Sequence, residues 1–319
     1  MALKVPSGKG FWIWQILQVQ KLYNEAHLQV KAVAAEAVRL GVDHVVVKIA
    51  TDYGRYNMRR PDPNVAIVRW DDLIPTLAHE LQKNNVEVYG YAGAVGGTVN
   101  YPERNARFHV ERALQFGLDG LIVNAEGQDW QSSQKRYSAA TIYARTAQQV
   151  SAGRISIGLS TYRFIRSSQP YFPAREFMEY LDYAKPQIYW VGRHDPVEQL
   201  QKAVSEWRTI TPKPIIPDGA AYTERRASYR MPDGSLWLPT EDDLLKFNQA
   251  VRAGGHPGYT LWEWRSAHQY ELLDIIASLH WPHSVEDPPP PLHKYTDAER
   301  LALLWDDYKA RTGLTDFRP

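Results

Sequence analysis

A (β/α)8 barrel is the architecture this sequence predicts, on three observations. Short apolar runs and helix-period segments alternate through eight cycles. The cycles occupy about 270 residues, near the ~250 typical of such a barrel. The first apolar run leads into Trp14-Gln15-Ile16-Leu17, whereas a doubly wound nucleotide-binding sheet needs a glycine turn there. Strict alternation implies parallel strands with right-handed crossovers. An open doubly wound sheet is the competing architecture, and no phosphate-binding loop supports it.

The elements follow in order. Phe11 to Ile16 is the first expected strand, and helical periodicity runs from Glu25 to Leu40. Asp43 to Ile49 centres on Val45-Val46-Val47, a β-branched run suited to a strand buried on both faces. A helix is expected over Asp71 to Asn84, a strand over Val86 to Tyr91, and a helix from Pro102 to Phe116, which Gly117 stops. Strand Gly120 to Asn124, helix Lys135 to Val150, strand Ile155 to Ser160 and helix Pro173 to Leu181 come next. The series ends with strand Pro186 to Trp190, helix Pro196 to Arg208, strand Pro214 to Pro217, helix Thr240 to Arg252, strand Tyr259 to Trp262 and helix Gln269 to Leu279. The barrel domain is therefore placed at residues 1–283. Residues 284–319 hold a Pro-rich linker, Asp287 to Pro291, and a C-terminal helix. Thr296 and Glu299 form that helix's capping box, and Leu301, Leu304, Trp305 and Tyr308 its apolar face.

Composition narrows the function. Of 319 residues, 44% are hydrophobic and 23% charged, which suits a folded globular chain. Lys and Arg number 37 against 36 Asp and Glu, so bulk charge gives no reason to expect nucleic acid. Cysteine is absent, which excludes disulfides, thiolate metal sites and cysteine nucleophiles. No apolar run approaches the roughly 20 residues of a membrane span. Met1 to Gly10 lacks the apolar core of a secretory signal, so the expected setting is cytoplasmic, phage-associated, or exported with its signal removed. The unusual figure is the aromatic content, 11 Trp, 19 Tyr and 8 Phe. Flat aromatic faces pack cores, and they also stack against sugar rings.

In such a barrel the site lies where the strands end. The polar residues expected there include Lys48, Asn124, Glu126, Tyr162, Arg163, Gln187, Tyr189, Asp218, Glu263 and Arg265, among Trp14, Trp130, Trp190 and Trp262. Carboxylates supply the proton transfers of glycoside cleavage. Strand alternation puts Ile122, Asn124 and Glu126 on one face, so Asn124 and Glu126 both point into the barrel mouth. One can then protonate a leaving oxygen while its neighbour orients the sugar. No metal or organic cofactor is implied.

The segment Leu118-Asp119-Gly120-Leu121-Ile122-Val123-Asn124-Ala125-Glu126 resembles the strand-four signature of glycoside hydrolase family 18, the chitinases. It departs at Ile122, where the family has a carboxylate, and at Asn124, where Asp is usual. The Asn-x-Glu form is similar to family 85, the endo-N-acetylglucosaminidases. Gln187-Ile188-Tyr189-Trp190 lies where family 18 has Met-x-Tyr-Asp, with Trp190 replacing the Asp, and Trp262 fits the strand-eight tryptophan under the cleaved sugar. The resemblance implies that the substrate's own N-acetyl oxygen is the nucleophile. Glu126 would be the acid, then the base, and Asn124 and Tyr189 would hold the acetamide.

A retaining enzyme with a protein nucleophile needs a second carboxylate about 5 Å from the acid. Asp218 and Glu263 are the candidates, although Asp-Gly is also a common turn and alternation puts Glu263 opposite Trp262 and Trp264. Family 25 lysozymes share an acid-x-Glu step on strand four. They also carry an Asp after strand one, where this chain has Trp14 and Gln15. The expected function is hydrolysis of an N-acetylhexosamine-containing glycan, whether chitin-, peptidoglycan- or N-glycan-like. Trp14, Trp130, Trp190, Trp262, Glu263 and Tyr162 would line the sugar site. The alternative is a catalytically silent barrel that binds glycan or serves as a scaffold in a phage or cell-surface assembly. It draws on Ile122 and Trp190, and on the chance that Glu126 is tied to Arg163 or Arg265. Oligomeric state is left open.

Overall fold

The computed structural model describes residues 3–23, 29–59, 71–223, 230–231 and 233–281. Eight parallel strands form the ring: β1 Gly8–Ile13, β2 His44–Thr51, β3 Glu87–Ala94, β4 Gly120–Ala125, β5 Ser156–Tyr162, β6 Tyr183–Gln187, β7 Asp218–Ala220 and β8 Gly258–Trp262. Each pairs with its neighbour in sequence, and β1 pairs in parallel with both β2 and β8, so the sheet closes. The main helices after successive strands are α1 Gln29–Arg39, α2 Ile74–Lys83, α3 Pro102–Gln115, α4 Arg136–Ser151, α5 Ala174–Tyr180, α6 Pro196–Arg208, α7 Glu241–Ala253 and α8 Leu273–Ser278. The chain is a closed (β/α)8 barrel. No helix among the described residues is long and apolar enough to cross a membrane.

Period-two alternation sorts each strand's side chains. Val45, Val47, Leu121 and Val123 face outward into the apolar layer under the helices. Trp12, Val46, Tyr89, Tyr91, Ile122, Tyr183 and Ile216 fill the bore. Inward residues stack in tiers drawn from alternate strands. One tier is Trp12, Tyr91, Ser160 and Asp218, from the odd-numbered strands. The Trp12 ring lies 4.7 Å from Tyr91, and its Nε1 donates to Asp218 Oδ1 at 2.7 Å. Above it, Lys48, Asn124, Gln187 and Trp262 come from the even-numbered strands and floor the mouth. Large inward rings are accommodated by glycines next door. A Cβ on Gly10 would stand 2.1 Å from His44, one on Gly158 would stand 2.1 Å from Tyr183, and one on Gly120 would stand 2.6 Å from Tyr89.

Several boundaries differ from the sequence expectation. β1 starts at Gly8, because its glycines carry no apolar signal yet take the inward positions beside His44 and Thr260. β6 is Tyr183–Gln187, upstream of the expected Pro186 to Trp190; its inward Lys185 broke the apolar pattern. β7 is only Asp218–Ala220, with one isolated bridge from Ile215 to Ala184. Pro214 and Pro217, which lack N–H donors, flank the gap. The last expected helix is shorter, Leu273–Ser278, and a further short helix, Trp264–Gln269, precedes it. The C-terminal helix and the linker at 284–319 lie outside the described residues.

Candidate active site at the barrel mouth

Glu126 follows β4 directly and is half-buried. Its backbone is tied to β5 on both sides. Thr161 Oγ1 donates to the carbonyl of Ala125 at 2.6 Å, and the N–H of Gly127 donates to Tyr162 Oη at 3.0 Å. Gly127 has φ 108°, a conformation that suits glycine. Tyr162 thus acts on the loop that carries Glu126.

The side chains of Asn124 and Glu126 converge as strand alternation requires. Gln187 joins them: its Nε2 donates to Asn124 Oδ1 at 3.1 Å and to a Glu126 carboxylate oxygen. Among the described residues no arginine or lysine forms an ion pair with Glu126, and Arg163 donates instead to the carbonyl of Tyr189. Lys48, also half-buried, lies 4.2 Å from the Tyr56 ring centroid and 5.9 Å from those of Trp14 and Tyr91. Burial lowers its pKa, and the charge of Glu126 acts the other way. Tyr189 stands past the end of β6 with its ring 5.4 Å from Tyr222, nearly perpendicular. Burial, then the charge of Asp218, pushes its phenol well above the ordinary range, so it stays a neutral O–H donor. Trp262 crosses above Trp12, ring centroids 5.6 Å apart.

Beneath this floor lies a charged core. Lys185 Nζ pairs with Asp218 Oδ1 at 2.8 Å, both side chains 0% exposed. Lys185 also donates to Thr260 Oγ1 at 2.5 Å, and Thr260 Oγ1 is 2.8 Å from His44 Nε2. His44 Nδ1 lies 2.8 Å from the Ser7 carbonyl, which can only accept. The proton therefore sits on Nδ1, and Nε2 accepts from Thr260. Burial holds His44 down to about 3, with the Lys185 charge acting in the same direction. Burial lifts Asp218 to about 6 against the pull of Lys185, Trp12 and Ser160, and burial lowers Lys185 against the pull of Asp218.

The other sequence candidates scatter. Asp218 is below the mouth with both oxygens engaged: Oδ1 by Trp12 and Lys185, Oδ2 by Ser160 at 3.4 Å. It is not presented to a sugar as a nucleophile. Trp130 and Trp190 are 0% exposed. Trp130 donates to the Ala94 carbonyl at 2.7 Å and packs edge-on against Phe177, while Trp190 packs on Phe247 of α7. Both rings belong to the wall between strands and helices: Trp130 lies on the short helix Asp129–Ser132, and Trp190 follows β6 at a position of outward parity. Glu263 caps the helix Trp264–Gln269, accepting from the Ser266 N–H at 3.0 Å and its hydroxyl at 2.8 Å. With Trp14, Gln18, Thr223, Arg265 and Gln269 it lines a groove of about 410 Å3 between the ends of β1 and β8. Glu126 does not line that groove. The structure thus brings Asn124, Glu126, Tyr189 and Trp262 to the mouth, with Trp14 and Glu263 beside it.

Lys48 and Gln187 are expected at the strand ends without a role, and Lys185 is not anticipated at all. The available signal was a lone lysine inside an apolar strand, as in Val47-Lys48-Ile49. Among the described residues, no group of three or more His, Asp or Glu side chains is placed to hold a metal ion.

No protein-family model matches this chain, and no curated protein matches it. Solved structures do. A chitinase from Bacteroides thetaiotaomicron superposes with TM-score 0.59 at 11% identity, covering 88% of this chain and 100% of the other. A class V chitinase from Nicotiana tobaccum gives 0.58 at 11%, covering 86% and 99%, and a glutamine variant of that enzyme has been solved in complex with NAG4. The spore cortex-lytic enzyme SleL of Bacillus megaterium gives 0.54 at 10%, covering 84% and 73%. The chain has the fold of the chitinase-like glycoside hydrolase barrels.

Proposed function

We propose that this protein hydrolyses an N-acetylhexosamine-containing glycan with Glu126 as its acid and base. One observation carries the reading: Glu126 reaches the mouth beside Asn124, linked to it by Gln187 and free of any ion pair with a described arginine or lysine. Glu126 would protonate the glycosidic oxygen, and the substrate's acetamide oxygen would attack the anomeric carbon from the other face. Water would then complete hydrolysis with Glu126 as base. Asp218 and Glu263 are both engaged within the protein, which favours a nucleophile supplied by the substrate over a second carboxylate. Asn124 Nδ2 and the Tyr189 hydroxyl are the donors available to hold the acetamide, and Trp262 is the platform. Turning the Gln187 amide around would present its oxygen to Glu126, so one side chain can serve both protonation states.

The substitution Glu126→Gln should lower turnover of N-acetylglucosamine oligomers by about 10²–10⁴-fold with the thermal midpoint preserved. Unchanged turnover would remove Glu126 from the mechanism. The silent-barrel reading rests on Ile122, which leaves no carboxylate below Asn124, and on an N–H donor facing Glu126. It requires that wild type show no turnover of chitin oligomers, peptidoglycan or N-glycans.

A further inference from the structure

Five large aromatic side chains are exposed among the described residues: Trp14, Tyr53, Tyr101, Tyr137 and Tyr171. Each lies in the segment that follows a different barrel strand, β1 through β5 in order. All five therefore stand on the face that holds the mouth. Single exposed aromatics are ordinary; their collection on one face is not.

The four tyrosines lie along the N-terminal ends of neighbouring helices. Tyr53 is in the turn after β2, and Arg104 of α3 stacks 3.6 Å from its ring centroid. Tyr101 immediately precedes α3. The short helix before it is capped by Asp52, which accepts from Thr98 N–H at 2.8 Å, so Tyr53 and Tyr101 are set by one local frame. α3 packs on α4, and α4 on α5. Tyr137 is the second residue of α4, and Arg136 lies 4.4 Å from its ring centroid and 5.8 Å from that of Tyr171. Arg136 also donates to the Tyr171 carbonyl at 2.9 Å. The result is a belt over β2 to β5, outside the mouth, in which guanidinium groups lie against the rings of Tyr53, Tyr137 and Tyr171.

We propose that this belt binds the chains of a polymeric glycan, so that the protein engages an extended surface rather than a free oligosaccharide. Its rings offer a flat face and a hydroxyl, matching the C–H face and hydroxyl rim of a sugar. A protein partner would call for an apolar centre. Among the described residues the one large aliphatic side chain of comparable exposure is Leu3, ahead of β1 and away from the belt. Guanidinium stacking limits the side-chain entropy lost on binding. The inference deepens the proposed function by naming an insoluble substrate class, and it rests on that reading only for the sugar chemistry.

The test is co-sedimentation of the full chain with peptidoglycan sacculi and with chitin particles, using Tyr101→Ala/Tyr171→Ala and the matching Phe pair. These two tyrosines are 63% and 60% exposed, so truncation leaves the fold intact, as circular dichroism and the thermal midpoint will verify. The Ala pair should weaken polymer binding at least five-fold while turnover of soluble N-acetylglucosamine oligomers stays at the wild-type level. The Phe pair should stay within two-fold. Binding by the Ala pair equal to wild type, or wild-type binding to neither polymer, would overturn the proposal. Belt-dependent binding by a wild type that cleaves no oligomer would support the belt and defeat the acid role of Glu126.

Discussion

Lys185 and Asp218 form an ion pair 2.8 Å long with both side chains fully buried. A buried ion pair is poor evidence of net stabilisation, but removing one partner strands the other charge away from water. Asp218→Asn should therefore cost about 3–5 kcal/mol. Lys185→Met/Asp218→Asn, which removes both charges, should cost less than that single change. Urea unfolding of the three chains measures this, and equal losses would mean the two charges do not interact. Asp218 is expected at the site because it follows the expected strand Pro214 to Pro217, where a barrel places its functional carboxylates. Its partner lies in β6, behind two prolines, and nothing in local spacing announces that pairing. Asn124 and Glu126 were legible for the opposite reason: period-two alternation fixes their direction without knowledge of any other strand.

Among elements, β4 and β6 illustrate the same contrast. β4 is apolar on both faces up to Asn124, so its limits emerge from composition. β6 carries Lys185 inward, and the apolar criterion moved it downstream onto Ile188-Tyr189-Trp190. That shift is also why Trp190 was expected in the mouth. Helix α7 starts one residue after the expected Thr240, because Thr240 is its cap. Its hydroxyl accepts from the Asp243 N–H at 3.1 Å, and Asp243 Oδ2 accepts from the Thr240 N–H at 2.9 Å. Asp243 further meets His194 Nδ1 at 2.6 Å, joining the helix to the loop after β6. Thr240→Ala should cost about 1 kcal/mol. It would appear as a lower urea midpoint with an unchanged slope, and a neutral result would mean that solvent replaces the cap.

Across the whole molecule, three histidines among the described residues are held neutral by burial. His44 is lowered to about 3, His109 to about 4, and His256 is lowered as well. His109 Nε2 lies 2.5 Å from the Asp52 carbonyl, and its Nδ1 is 2.7 Å from Tyr143 Oη. A group depressed on folding contributes stability that is complete above its unfolded value of 6.5 and declines as pH falls toward the folded value. Asp218 acts oppositely: raised to about 6, its contribution is present below 3.8 and is lost as pH rises through 6. Near pH 5 unfolding takes up protons on His44, His109 and His256 and releases one from Asp218, so the balance of these four groups is an uptake. Stability should then fall as pH drops toward 5, by at least about 1.4 kcal/mol per pH unit from these groups. Urea midpoints at pH 7 and pH 5 decide the matter, and a higher midpoint at pH 5 would show that Asp218 outweighs the imidazoles. The eightfold rhythm made the ring legible from sequence, whereas its closure through β1 and β8 depends on residues some 250 positions apart, which no local pattern records.

Tyr89 and Tyr183, set against Gly120 and Gly158, stop up the bore below Asn124 and Glu126. Among the described residues the bore is filled by side chains rather than open at its base. Under the proposed function, a long strand would be cut while lying across the opening and not by being threaded through.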